Sequence, residues 1–209
     1  MENQFHSVTL DRELCKGCTI CIKRCPTEAI RVQAGKARIR ETRCIDCGEC
    51  IRTCPNHAKL AVTDGLERIH EFRYSIALPA PSLYGQFKAE VSLRQILGAL
   101  VQLGFDEVYE VAKGAEYVSL ATRRYIERSA VRPLISSSCP AVVRLIQVRF
   151  PSLIDHLVRI ESPMEVAAKL AKQEASARTG LPPDEIGTFF ISPCPAKVTA
   201  VKQPVGNQR

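Results

Sequence analysis

Ten cysteines stand in a chain of 209 residues, and eight of them fall in two short runs. Residues 15–26 read CKGCTICIKRCP and residues 44–55 read CIDCGECIRTCP, both in the pattern C-x2-C-x2-C-x3-C-P. Thiols at this density bind metal rather than cross-link a chain that shows no sign of secretion. Three cysteines with two residues between each wrap a loop around one face of an iron–sulfur cube and leave one iron without a ligand. The fourth, held just before a proline, points away from that loop. Zinc fits less well, because its structural sites take four ligands, usually as two well-separated C-x2-C pairs. The chemistry implied is one-electron transfer through iron–sulfur clusters.

The two runs are one repeat. Cys15, Cys18, Cys21 and Cys25 recur 29 positions later as Cys44, Cys47, Cys50 and Cys54, and Pro26 and Ala29 recur as Pro55 and Ala58. Such a repeat makes this part of the chain a pseudo-twofold pair of half-domains. Pro26 and Pro55 contribute no N–H and stop the chain re-entering a helix, while Gly17 and Gly48 ease the tight loops. The segment 7–64 resembles two-cluster bacterial-type ferredoxins. In that pattern the fourth cysteine of each run ligates the other cluster. The resemblance therefore implies two [4Fe-4S] clusters. One is held by Cys15, Cys18, Cys21 and Cys54, the other by Cys44, Cys47, Cys50 and Cys25. His57 reads as a surface side chain.

The two remaining cysteines, Cys139 in PLISSSCPAVVRLI and Cys194 in ISPCPAKV, need different elements to position them. Apolar runs and spacings predict strands at 72–80, 105–112, 132–136 and 185–192, and helices at 91–104, 115–129, 140–150 and 162–180. Ser162, Pro163, Glu165 and Gly180 supply a capping box and a stop for the last of these helices. Strands alternating with helices argue for a parallel sheet with right-handed crossovers. Chemistry in such sheets gathers where strands end and helices begin. Cys139 follows the third expected strand and Cys194 the fourth, so both are expected at the sheet's carboxyl edge. Pro140 starts a helix whose dipole favours a thiolate at Cys139. The fold class expected is an α+β ferredoxin-like 2[4Fe-4S] domain over residues 1–68, followed by an α/β domain with a parallel sheet over 69–209.

Composition narrows the function classes. Apolar residues make up 45% and charged residues 24%, as in a soluble globular protein. No apolar run approaches the roughly 18 residues of a membrane span, and MENQFHSVTLDREL is too polar and acidic for a signal peptide. The chain is read as cytoplasmic. The formal charge is +7, which two loaded clusters at about −2 each lower to about +3. With no aromatic interleaving, this basicity does not argue for nucleic acid. The plainer reading of it is ordinary solvated Lys and Arg, and the functional one is a docking face for an acidic electron carrier.

SSSCPAVV and SPCPAK together resemble the first two H-cluster motifs of the [FeFe]-hydrogenase large subunit. LRQILGALVQLGFDEVYEVAKGAE and SPMEVAAKLA are similar to segments of that family, and ALPAPSLYGQF resembles its sensory or non-prototypical branch. The resemblance covers about residues 72–209 and makes them the first lobe of an iron-only hydrogenase-like domain. It implies that Cys139 and Cys194 bind the [4Fe-4S] part of an H-cluster. It also implies that Lys197 donates hydrogen bonds to the anionic ligands of the di-iron unit. Two departures matter. Ser138 stands where the prototypical motif has a proton-shuttling cysteine. A thiol titrates near pH ~8.5, whereas a serine hydroxyl relays protons only through hydrogen bonds. The family's third motif would add two cysteines, and none follows Cys194.

An H-cluster is therefore expected only in a full-length form; the ending VKQPVGNQR reads as a loop leading onward from a fragment, the alternative being a naturally short, degenerate relative. These features predict an iron–sulfur electron-transfer protein related to iron-only hydrogenase. Its expected role is a hydrogen or redox sensor, or a low-activity hydrogenase. Its expected partner is a ferredoxin, a flavodoxin or an oxidoreductase subunit, with no nucleic acid and no membrane. The alternative is a ferredoxin-type electron carrier whose second domain is a metal-free interaction module.

Overall fold

The sequence repeat is also a backbone repeat. The computed structural model describes residues 5–203. The chain termini on which the signal-peptide and fragment readings partly rest (1–4 and 204–209) lie outside the described residues. The first part of the chain forms β1 (Val8–Leu10), α1 (Ile20–Arg24), β2 (Ile30–Gln33), β3 (Lys36–Ile39), α2 (Glu49–Arg52) and β4 (Lys59–Ala61). Left-handed residues recur at the same offset of 29: Gly17 with Asp46, Thr19 with Gly48, and Glu28 with His57. Gly17 and Gly48 are thus both left-handed, as the tight loops require, but they are not each other's symmetry mates. Strand β1 pairs antiparallel with β4, and β2 with β3. The β2–β3 hairpin closes on Ala34 (φ 49°) and Gly35 (φ 70°). Two positive φ values make a type I′ turn, whose twist matches that of the flanking strands.

The rest of the chain forms β5 (Tyr74–Pro79), α3 (Leu93–Gln102), β6 (Glu107–Val108), α4 (Val111–Arg128), α5 (Pro140–Arg149), α6 (Pro163–Thr179), β7 (Ile186–Ile191) and α7 (Pro195–Lys202). The sheet is parallel, in the order β6-β5-β7, with Tyr74 opposite Ile186 and Ile76 opposite Glu107. Central β5 is buried from Ser75 to Pro79, as a strand covered on both faces must be. Ala77 packs with Ile69, Leu100 and Phe105, and Phe189 meets Phe105 and Phe72 at ring distances of 5.7 Å. Helix α6 begins as its capping residues require: the Glu165 carboxylate accepts the Ser162 N–H at 2.7 Å. It ends on left-handed Gly180. Its buried Ala167, Ala171 and Ala175 let it lie close to α4, where Gly114 faces the Pro163 carbonyl.

Two expected elements are corrected. The expected strand 105–112 shortens to β6, because Val111 already begins α4. The expected strand 132–136 is not part of the sheet. Only Ile135 pairs, in a single bridge to Leu157. Pro133 lacks a donor there, and Ser138 N–H turns back to the Ser136 hydroxyl at 3.4 Å. Cys139 therefore follows a loop rather than a sheet strand.

The chain packs into two compact units that do not follow the sequence division at residue 68. One holds the cysteine repeat up to Thr63 together with Ile135–Leu157 and the chain from Cys194. The other holds Asp64–Leu134 and Val158–Pro193, including the parallel sheet.

Candidate metal centre

Two cavities open inside the repeat. The first is lined by Cys15, Cys18, Cys21 and Cys54. The second is lined by Cys25, Cys44, Cys47 and Cys50. In each, three cysteines come from one run and the fourth from the other. The crossing follows from the short helices α1 and α2, which carry the chain from the third cysteine to the fourth. Cys21 and Cys50 are buried between the cavities, in a core shared with Val8, Ile30, Ala37 and Ala58. Cys18 and Cys47 are exposed at the rims.

The donor set fits a cluster and not a single ion. Around one zinc, with Zn–S bonds of about 2.3 Å, the four sulfurs would stand about 3.8 Å apart. Among the described residues, the group of three or more potential ligands that closes to within 4.8 Å is His6, Cys44 and Asp46. The cysteine sulfurs of each cavity are thus spread around a space. Their sulfurs also accept backbone N–H groups, Ala29 on Cys25 at 3.2 Å, Ala58 on Cys54 at 3.3 Å and Ala37 on Cys15 at 3.4 Å. Such bonds favour the thiolate and tune cluster potentials.

Burial works in the other direction. It pushes the Cys44 thiol from its ordinary value of 9.0 up to about 12, with the Asp46 carboxylate adding to the rise. Burial likewise pushes Cys50 up to about 11 and raises Cys21 and Cys47. Cys15 is lowered instead, first by the Ala37 N–H. In the cluster-free chain Cys44 and Cys50 are therefore neutral at neutral pH, and cluster loading must displace their protons. Their folded values lie above the unfolded ones. Their contribution to stability is thus complete below pH 9.0 and lost as pH rises through about 11 and 12. Alkaline unfolding of the cluster-free chain, followed by circular dichroism, is expected to shift to higher pH when both are replaced by alanine. An unchanged midpoint would remove the thiols as its cause.

The second run is fastened more heavily than the first. The Asp46 carboxylate takes His6 Nδ1 at 2.7 Å and the Val8 N–H at 3.1 Å, and the Cys44 thiol points to it at 3.8 Å. Arg144 of α5 donates Nε–H to the Cys44 carbonyl at 2.8 Å. Pro195 of α7 packs on Gly48, where a Cβ would meet its ring at 2.9 Å. Ser7 donates its hydroxyl to the Pro195 carbonyl at 2.6 Å and its N–H to Thr199 Oγ1 at 3.1 Å. Spacing alone did not single out His6, Asp46, Arg144, Ser7 or Thr199. For Asp46, the signal was its place in the second run opposite Gly17.

Cys139 and Cys194 cap the starts of α5 and α7 with nearly the same backbone, φ −106° and ψ 107° against φ −100° and ψ 109°. Each is followed by proline at the first helical position, and the two helices touch. Both belong to the same compact unit as the eight repeat cysteines. Cys139 is exposed and Cys194 half-buried. Ser138 is half-buried and accepts a hydrogen bond from the Ser136 hydroxyl at 3.3 Å. Lys197 sits in the first turn of α7, its N–H on the Cys194 carbonyl at 3.1 Å. His57 and His70 are exposed and His156 is half-buried.

The family model for the C-terminal domain of the iron only hydrogenase large subunit matches residues 73–208, and that for a 4Fe-4S dicluster domain matches residues 7–55. The chain belongs to the iron-only hydrogenase large subunit family. This hydrogenase-like iron–sulfur protein is 28% identical to iron hydrogenase 1 of Clostridium pasteurianum, over 98% of its own length and 41% of the relative's. It is 27% identical to the periplasmic [Fe] hydrogenase large subunit of Nitratidesulfovibrio vulgaris, over 93% and 51%. The cytosolic Fe-S cluster assembly factor NAR1 of Yarrowia lipolytica matches 51% of it at 26% identity. A solved [FeFe]-hydrogenase shares its fold with a TM-score of 0.53, at 22% identity, over 63% of this chain and 38% of the other. The hydrogenase-like chain thus spans about half or less of the length of the curated relatives it matches. None of its described helices is long and apolar enough to cross a membrane.

Proposed function

We propose that this chain is the electron-transfer portion of a hydrogenase-like protein, with two [4Fe-4S] clusters and part of an H-cluster-type site. The observation that carries the reading is the exchange of Cys25 and Cys54 between the two cavities. Cys15, Cys18, Cys21 and Cys54 hold the first cluster, and Cys44, Cys47, Cys50 and Cys25 hold the second. Bound clusters supply one-electron transfer. Cys139 and Cys194 are the ligands this chain brings to the further site, and Lys197 supplies a cationic donor beside Cys194. Arg144 and Ser7 fix α5 and α7 to the second run, so the second cluster lies on the side of Cys139 and Cys194. Beside the first, exposed Leu14, Ile20 and Cys18 stand among Lys16, Lys23 and Arg24. This surface suits an acidic redox protein such as a ferredoxin or flavodoxin, or an oxidoreductase subunit.

Ser138 turns the reading toward hydrogen or redox sensing, or slow turnover. Its hydroxyl can pass a proton only along hydrogen bonds, here with Ser136 as neighbour. In a full-length form matured with the di-iron cofactor, Ser138→Cys is expected to raise hydrogen turnover tenfold or more. An unchanged rate would remove Ser138 from the proton path. A role in iron–sulfur cluster assembly is the second reading, supported by the NAR1 match over half the chain. A third is a ferredoxin-type carrier whose second domain only docks a partner. Transfer of clusters to an apo-acceptor without hydrogen turnover would favour the assembly role. Electron transfer with neither would favour the carrier.

A further inference from the structure

At one position buried in both halves, the repeat exchanges an apolar residue for a charged one. Shifting Ile30 by the repeat length of 29 gives Lys59. Both residues are 2% exposed. Ile30 lines the second cavity, and Lys59 lines the first. The Lys59 Nζ is out of contact with solvent and has no hydrogen-bond partner. A lysine ordinarily extends its ammonium to water, and a buried charge ordinarily finds a partner. Lys59 does neither within the protein. Its charge acts on Cys15 and Cys21 of the first set and on Cys50 across the core.

We propose that the Lys59 ammonium is the built-in counter-charge of the first cluster and makes that cluster the one on which an electron rests. This rests on the two-cluster reading above. A fixed buried cation stabilises the reduced, more negative state of the cluster it adjoins and raises its potential. The second cluster has apolar Ile30 in the equivalent place. Each run has one cation on the carbonyl of its first cysteine. Lys36 donates to the carbonyl of Cys15 at 2.7 Å, and Arg144 to that of the matching Cys44 at 2.8 Å. Both are partly solvated and screened. A second difference places the Asp46 carboxylate, paired with His6 Nδ1 at 2.7 Å, beside Cys44 where the first run has Gly17. Electrons arriving from the side of Cys139 and Cys194 therefore run from the second cluster to the first, whose rim is Cys18.

The test is a redox titration of the reconstituted chain, followed by electron paramagnetic resonance. Wild type with about eight irons satisfies the two-cluster reading, and fewer irons would sink that reading before any variant is compared; about eight irons with a single unresolved midpoint would overturn the Lys59 proposal itself. Lys59→Met is then expected to keep the iron and lower the more positive midpoint by at least tenfold in the reduction equilibrium, about 59 mV for one electron. The other midpoint moves less, so the two draw together. Lys59→Arg is expected to keep the wild-type separation. Unmoved midpoints, or equal shifts of both, in a fully loaded Lys59→Met chain would overturn the proposal. Lys59→Gln is the second neutral variant. If neither neutral variant loads while Lys59→Arg does, Lys59 serves assembly instead and the proposal also fails.

Discussion

Alanine at Cys18 and alanine at Cys54 are expected to damage one and the same cluster, although 36 positions separate the two residues. Local ligation would place Cys54 with Cys44, Cys47 and Cys50. The cavities place it with Cys15, Cys18 and Cys21, and they place Cys25 with the second run. Removing one of four thiolates leaves an iron without its ligand, so each single variant should lose the redox step of the first cluster and keep that of the second. The decisive measurement is non-additivity. A chain with both Cys18→Ala and Cys54→Ala should retain one intact cluster, about four of about eight irons. A chain with Cys18→Ala and Cys25→Ala should retain none. The reverse ranking of the two double variants, read by iron content and by electron paramagnetic resonance, would establish local ligation and remove the basis for the Lys59 proposal as well.

What the sequence revealed follows the range over which each feature is encoded. The ligand runs, the left-handed loops and the ends of α6 are each set by residues within a few positions of one another. Ser162, Glu165 and Gly180 therefore bound a helix that the structure shows at 163–179. Strands were harder. FDEVYEVA alternates like a strand, yet the sheet uses only Glu107 and Val108, because the residues from Val111 gain more by packing α4 against α6. The tie from Ser7 to Thr199 spans 192 positions and leaves no local pattern. Lys59 was hidden for another reason. A lysine in a short strand reads as solvated, whereas the structure leaves Lys59 2% exposed, in the place of the first half's Ile30. The site's chemistry was therefore legible as a ligand list, while its asymmetry depends on residues that pattern reading assigns to the surface.

The same chemical change, glycine to alanine in a helix, is expected to have opposite signs at Gly114 and Gly98. Alanine is the better helix former by about 1 kcal/mol, so propensity alone favours both. At Gly98 in α3 a Cβ would meet nothing within 4 Å, and Gly98→Ala should stabilise by about 0.5–1 kcal/mol, in part by restricting the unfolded chain. At Gly114 in α4 a Cβ would lie 2.4 Å from the Pro163 carbonyl oxygen and 2.8 Å from the Ala167 nitrogen. Both are backbone atoms of the first turns of α6, and neither can swing aside as a flexible side chain does. Overpacking of this kind typically costs about 1–3 kcal/mol and sometimes more. It exceeds the propensity gain, so Gly114→Ala should lower stability, and Gly114→Val should lower it further because a β-branched residue brings more atoms into the same gap. Thermal unfolding of the three variants checks the order. A Gly114→Ala chain as stable as Gly98→Ala would mean that α4 and α6 separate at little cost. The close seam of Gly114 with Ala167 would then not be what holds α6 in place ahead of β7, the strand that leads the chain to Cys194.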